Sequence, residues 1–181
     1  MNAFENIVAL YLEEEGYWVR QSVKVEKISK DDKKVLGNST MPRPEIDIVA
    51  LNMKRNELVF FEVKSFLHSQ GVYFDVVKSK EWEQSKHYRL FNDEKYRNLI
   101  TTRLLEAYME KGLANRRTKV NYGLAAGKIH TGDKGKFDKH FANRGWVLIT
   151  PEEIKSKVKT WADKGWEDNV VFTTAKLICG I

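Results

Sequence analysis

Three charged residues stand near the ends of two apolar segments, where acidic and basic side chains could act together. Asp47 lies in the apolar segment 46–51, and Glu62 and Lys64 stand at the end of the apolar segment 57–63. Charged side chains in a core cost free energy unless an opposite charge or a metal ion pairs with them. This conflict between an apolar pattern and charged residues is typical of a functional site.

The two apolar segments predict the strands of one β-hairpin. Both are rich in β-branched and aromatic residues, and the polar residues 52–56 between them are typical of a turn. With the turn centred between Lys54 and Arg55, Asp47 faces Glu62. Opposed side chains on paired strands have Cβ atoms roughly 5 Å apart, and two carboxylates at that separation repel unless a cation lies between them. A register shifted by one residue would turn Asp47 to the other face of the sheet.

These carboxylates predict a site for a hard divalent cation. All-oxygen ligands with open coordination positions favour Mg²⁺ or Mn²⁺. Lys64 lies on the same strand face as Glu62, because side chains two residues apart in a strand point the same way. From there it can orient or deprotonate a bound water, or stabilise negative charge in a transition state. The competing interpretation is a salt-bridged strand end without chemistry.

At these residues the sequence resembles the PD-(D/E)xK nuclease superfamily, which has a restriction-endonuclease-like fold. The matching stretches are PEID at 44–47 and EVK at 62–64. The residues around them are especially similar to Holliday-junction resolvases and related repair nucleases. The resemblance implies that Asp47 and Glu62 are metal ligands, that the Val63 backbone carbonyl is a further ligand, and that the final lysine is catalytic.

The same resemblance implies three further site residues. An acidic residue on the first helix often completes such sites, and Glu5 matches it by position. In several branches a Gln-x-x-x-Tyr motif after the third strand lines the site, and Gln84 and Tyr88 have that spacing. Each residue also has an ordinary structural interpretation. Glu5 stands at capping-box spacing from Asn2, and Gln84 and Tyr88 can decorate an amphipathic helix.

The order of the expected elements predicts an α/β fold. It matches the restriction-endonuclease-like αβββαβ core, which has a central mixed sheet flanked by helices. No repeat or linker interrupts the chain, so one nuclease-like domain over residues 1–181 is expected. The expected elements are a helix that ends at Gly16, strands at 17–28, 46–51 and 57–63, helical spacing around Lys80 and over 94–113, strands at 120–129 and 146–150, a helix from Pro151, and a closing strand at 170–178.

The composition predicts a folded protein with a polyanionic partner. The chain has 181 residues, 42% hydrophobic residues and a formal net charge of +6, which favours DNA bound through backbone phosphates. Four basic segments are expected to rim the metal site. They are Lys54 with Arg55, residues 78–80, residues 116–119 and residues 134–144.

Other sequence features predict a soluble cytoplasmic protein. The lone Cys179 excludes an internal disulfide, and the amphipathic N-terminus does not resemble a signal peptide. No apolar run approaches the ~20 residues needed to cross a membrane. The four histidines lack the spacing of zinc ligands.

Together these features predict a Mg²⁺- or Mn²⁺-dependent deoxyribonuclease, expected to act as an endonuclease through a metal-activated water. The alternative is a nucleic-acid-binding module that keeps the same fold but does not cleave. A hydrolase acting on another substrate class fits the positive charge less well. Many members of the resembled superfamily act as dimers to cut both strands, so the resemblance also implies a homodimer.

Overall fold

A five-stranded mixed β-sheet lies at the centre of the computed structural model, which describes residues 2–37, 43–165 and 167–179. The order of the strands across the sheet follows their order in the chain. The first two strand pairs are antiparallel and the last two are parallel. The strands are β1 (Trp18–Lys24), β2 (Glu45–Asn52), β3 (Glu57–Lys64), β4 (Lys119–Ala126) and β5 (Val147–Ile149).

Helices cover both faces of this sheet. The predicted α/β class with a central mixed sheet flanked by helices is therefore confirmed. Within the described residues, no helix is both long enough and apolar enough to cross a bilayer. The helices are α1 (Ala3–Glu14), α2 (Lys30–Val35), α3 (Phe74–Lys78), α4 (Trp82–Ser85), α5 (Arg89–Asn92), α6 (Glu94–Glu110), α7 (Lys134–Arg144), α8 (Pro151–Ala162) and α9 (Val170–Cys179).

The β2–β3 hairpin has the predicted register. Its ladder runs from Asn52 opposite Glu57 to Ile48 opposite Phe61. The Asn52 side chain closes the turn by accepting a hydrogen bond from the Arg55 backbone N–H at 3.0 Å. Because the turn and the apolar pattern agree on one pairing, the residues beyond the ladder also face each other.

β3 is the central strand, and both of its faces are buried. Leu58 and Phe60 pack toward α6, while Val59 and Phe61 pack toward α1. A strand that is covered on both faces needs a continuous apolar run, which explains why this segment shows no alternation. The connection from β3 through α6 returns to β4 as a parallel neighbour, as expected for a crossover.

The packing of β4 against its neighbour β3 requires a glycine at position 123. It pairs with Phe61, and a Cβ at this position would lie 2.2 Å from the Phe61 ring. Any side chain there would displace this core ring. The close neighbour of Gly123 is thus a side chain of the adjacent strand β3.

The prediction of a closing strand over 170–178 is wrong, because these residues form helix α9. Phe172 and Ala175 lie three residues apart on one helical face and pack against Trp161 and Ala162 of α8. The rings of Trp161 and Phe172 have their centroids 5.4 Å apart. A short apolar run with β-branched residues fits either a strand or a helix, and this tertiary contact decides for the helix.

Candidate active site

The candidate site lies at the end of the β2–β3 hairpin that is opposite its turn. Asp47 lies one residue beyond the pair of Ile48 and Phe61, which is the last pair of the ladder at this end. Its Oδ2 accepts a hydrogen bond from the Val63 backbone N–H at 2.7 Å. The carboxylate thus takes the place of a backbone carbonyl in the ladder. Because an antiparallel hydrogen-bonded residue directs its N–H and C=O to the same neighbouring strand, the Val63 carbonyl also points toward β2.

Glu62 and Lys64 form an ion pair beside Asp47. Their side chains are only 16% and 17% exposed, and the Lys64 ammonium donates a hydrogen bond to Glu62 Oε1. Burial raises the pKa of Glu62 to about 7, and the neighbouring Asp47 carboxylate raises it as well, while Lys64 opposes both effects. The two carboxylates are therefore close enough to conflict, as the hairpin geometry predicted.

Lys64 carries its proton in this arrangement. Burial by itself lowers the pKa of Lys64, but the charges of Glu62, Asp47 and Glu5 outweigh it and raise the pKa above its ordinary value. Its Nζ also lies 5.8 Å from the centroid of the Tyr88 ring, where the aromatic face attracts a cation. Lys64 is thus a buried positive charge surrounded by acids and one ring.

Tyr88 and Tyr96 form the wall of the site on the side of α5 and α6. Tyr88 is 3% exposed and is the residue that precedes α5. Burial and the charge of Glu62 raise its pKa. Burial and the same charge raise the pKa of Tyr96 to about 12. The sequence predicted Tyr88 from its motif, whereas Tyr96 had only the signal of an apolar helix position.

Glu5 and Gln84 are the other two predicted site residues, and the structure describes the side chain of Glu5 alone. Glu5 forms a capping box with Asn2 at the start of α1, and it is 8% exposed. Its charge nevertheless acts on Lys64, so the capping role and an electrostatic role coexist. Gln84 belongs to α4, but its side chain lies outside what the structure describes. Its predicted role stays a prediction.

The donor set fits a hard divalent cation that keeps part of its water shell. Among the described residues, no three His, Cys, Asp or Glu side chains form a group ready to hold a metal. Mg²⁺, however, is commonly held by one or two carboxylates together with substrate phosphates and water. Asp47 and Glu62 supply two carboxylates, and a cation between them would relieve the repulsion that adds to the effect of burial on the pKa of Glu62.

Two of the four basic segments lie far from this site, which corrects the prediction that all four rim it. Lys54 and Arg55 occupy the hairpin turn, and Lys119 pairs with Glu57 at the same end of the sheet. The eight residues of β3 span on the order of 25 Å between this end and the site. By contrast, the first residues after β4 lie at the end of the sheet that carries the site, because the Gly127 N–H donates to the Lys64 carbonyl at 2.8 Å.

Comparisons with protein-family models, with curated proteins and with solved structures find no match for this chain. The functional interpretation therefore depends on the site itself. Its strongest features are the opposed carboxylates of Asp47 and Glu62 and the buried ammonium of Lys64.

Proposed function

We propose that this chain is a metal-dependent nuclease that hydrolyses phosphodiester bonds in DNA. The observation that carries the proposal is the convergence of Asp47, Glu62 and Lys64 at one strand end, where the Val63 N–H fixes the Asp47 carboxylate. Buried charges of this kind are expensive to maintain in a fold, and they cluster at functional sites for that reason.

The residues of the site have distinct roles in this reaction. Asp47, Glu62 and the Val63 carbonyl would hold Mg²⁺ or Mn²⁺, which would supply an activated water and polarise a phosphoryl oxygen. Lys64 acts as a cation, because the surrounding acids keep it protonated. Beside the scissile phosphate it stabilises the negative charge that develops there and orients the attacking water.

The proposed fold is the restriction-endonuclease-like αβββαβ core. Its support is the order α1, β1, β2, β3, α6 and β4 and the mixed sheet in which β3 and β4 are parallel. DNA is the proposed substrate because the net charge of +6 favours a polyanion. A homodimer and a cytoplasmic location stay predictions.

Cleavage of a substrate panel tests this function. The panel contains linear duplex, single-stranded, flapped and four-way DNA with RNA controls, each incubated with Mg²⁺, Mn²⁺ or a chelator. Cleavage is expected only with a divalent ion, and Asp47→Ala should abolish it. Glu45→Ala, on the exposed start of the same strand, is the matched control and should cleave normally. Undiminished cleavage by Asp47→Ala would refute the proposal.

One observation favours the second candidate, a nucleic-acid-binding module that does not cleave. The ion pair with Lys64 gives the Glu62 carboxylate a partner within the protein, as a salt bridge without chemistry would. This candidate predicts DNA binding without uptake of Mg²⁺ or Mn²⁺. A module that only binds nucleic acid does not explain Asp47. A second carboxylate beside Glu62 adds repulsion and contributes nothing to the binding of a polyanion.

A further inference from the structure

A basic cavity lies next to the candidate site, between the α4–α6 segment and the end of α7. Its volume is about 510 Å³. Five cationic side chains line it, and they come from four different segments of the chain. They are Lys80, Arg89, Lys95, Arg97 and Arg144.

Aromatic rings and backbone carbonyls hold two of these arginines in place. The guanidinium of Arg97 lies 5.3 Å from the Trp146 ring and 5.6 Å from the Tyr122 ring, and its Nη1 donates to the Leu90 carbonyl at 3.1 Å. Arg144 lies 5.2 Å from the same Trp146 ring. A guanidinium held in this way loses less conformational entropy when it binds an anion.

The acidic residues in the cavity do not cancel its positive charge. Asp93 accepts hydrogen bonds from Arg89 at 2.8 and 3.1 Å and caps α6 through the Tyr96 N–H at 2.9 Å. Its charge is therefore already matched by the Arg89 guanidinium. Glu94 is the other acid in the lining, and the remaining lysines and arginines outnumber it. The cavity thus presents excess positive charge.

One residue of the cavity lining, Arg89, contacts the aromatic wall of the candidate site. The Arg89 guanidinium lies 4.2 Å from the centroid of the Tyr96 ring. Tyr88 precedes Arg89 in the chain, and its ring centroid lies 5.8 Å from the Lys64 Nζ. The charges of the two carboxylates in the site also act on Tyr96. One strand of a bound polymer could therefore contact both places.

We propose that this cavity binds a phosphate group of a nucleic acid strand, at a position next to the one that is cleaved. The nature of the ligand rests on the proposed function. The fork of a guanidinium matches the oxygens of a phosphate, and several cations together suit a strand that carries one charge per nucleotide. The cavity anchors the strand, and Asp47, Glu62 and Lys64 act on the neighbouring phosphodiester.

Binding of a labelled single-stranded oligonucleotide tests this inference. Fluorescence anisotropy is measured with a chelator present, so that no cleavage occurs, over a series of salt concentrations. The variant Lys95→Gln/Arg144→Gln should bind roughly tenfold more weakly, and the salt slope should fall by about 1.4, which corresponds to two lost phosphate contacts. Lys80→Gln/Lys95→Gln should weaken binding by the same amount. It leaves the Arg144 contact with Trp146 intact, so it replaces the first variant if that variant is unstable.

The matched control is Lys54→Gln/Arg55→Gln, which removes the same charge at the far end of the sheet. It should change the affinity by less than about threefold. Equal losses in the control and the cavity variants would overturn the inference, and so would wild-type protein that does not bind the oligonucleotide. Competition by inorganic phosphate or a mononucleotide at equal concentration would instead mark a small-molecule site and overturn it too.

These outcomes separate the inference from the proposed function. Metal-dependent cleavage that Asp47→Asn abolishes, together with unchanged binding in the cavity variants, would overturn the inference alone. Oligonucleotide binding that depends on the cavity, in a protein that cleaves no substrate with any divalent ion, would support the phosphate site in the cavity and exclude both the proposed function and cleavage at the neighbouring position.

Discussion

The Asp47 carboxylate accepts a hydrogen bond from the Val63 backbone N–H at 2.7 Å, so the chain between Glu62 and Lys64 is tied directly to the opposite strand. The contact fixes the acid beside the ion pair through the backbone. It also gives a way to separate charge from geometry. An asparagine at position 47 can accept the same hydrogen bond through its amide oxygen, but it brings no negative charge.

Replacement of the site lysine should abolish cleavage while the protein remains folded. Lys64→Met removes the cation that stabilises the developing charge, and a loss of at least about 100-fold in the single-turnover cleavage rate is expected. Lys64→Arg keeps the charge but changes its position, so an intermediate rate is expected. Lys24→Met, at the exposed end of β1, is the control. A Lys64→Met rate within a few-fold of wild type would exclude this role.

The two roles of Glu5 can be separated by two substitutions. Glu5→Gln preserves the capping box, because glutamine can also accept the bond from the Asn2 N–H. It should leave thermal stability unchanged and reduce cleavage less than about tenfold through the lost charge near Lys64. Glu5→Ala should additionally cost about 1 kcal/mol of stability. Complete loss of cleavage in Glu5→Gln, with the fold intact, would instead make Glu5 a direct ligand.

The ring of Tyr88 should matter more than its hydroxyl. Tyr88→Phe keeps the aromatic face 5.8 Å from the Lys64 Nζ, so cleavage within about threefold of wild type is expected. Tyr88→Ala empties a buried position and should cost about 3–5 kcal/mol in urea unfolding. If Tyr88→Phe lost cleavage as completely as Asp47→Ala does, the hydroxyl would have to act in the reaction.

Asp32 gives the stability of the protein a predictable dependence on pH. Hydrogen bonds from the Ser29 backbone and side chain, together with Arg103, lower the pKa of Asp32 below its ordinary 3.8. A lowered pKa stabilises the folded state above pH 3.8, and this contribution is lost as the pH falls through the folded-state pKa. Asp32→Asn should therefore be about 1 kcal/mol less stable than wild type at pH 7.

Urea unfolding at pH 7 and below pH 3 measures this difference between Asp32→Asn and wild type. The difference should shrink at the lower pH, because the Asp32 carboxylate takes up a proton as the pH falls through its lowered pKa. Asp31→Asn is the control, because its side chain is 87% exposed on the same short helix, and it should have little effect at either pH. A constant difference at both values would show that the charge of Asp32 contributes nothing.

The hairpin was predictable from the sequence because two independent signals agree. The turn residues fix the pairing of Asn52 with Glu57, and the apolar runs tolerate only one register. The pair of Asp47 and Glu62 follows from that register. Helix α9 was not predictable in the same way, because its burial against Trp161 is a long-range contact that a short apolar run does not reveal.

The surroundings of the site were predictable only in part. The position of Tyr96 depends on how α6 crosses the sheet, and no local pattern determines that crossing. The error about Lys54 and Arg55 is different, because the length of the strands already places a hairpin turn far from the opposite strand ends. Lys54 and Arg55 are close to Asp47 and Glu62 in the sequence, but the length of β2 and β3 separates them in space.

The binding of Mn²⁺ to the two opposed carboxylates is the most direct test of the site. Isothermal titration calorimetry compares wild type with Asp47→Asn, with Glu62→Gln and with the control Glu45→Gln. Wild type and Glu45→Gln are expected to bind the ion with the same affinity, while each site variant should bind at least tenfold more weakly, because one of the two carboxylates has lost its charge. Equal Mn²⁺ affinity in all four proteins, or no binding by wild type, would contradict a metal site at Asp47 and Glu62.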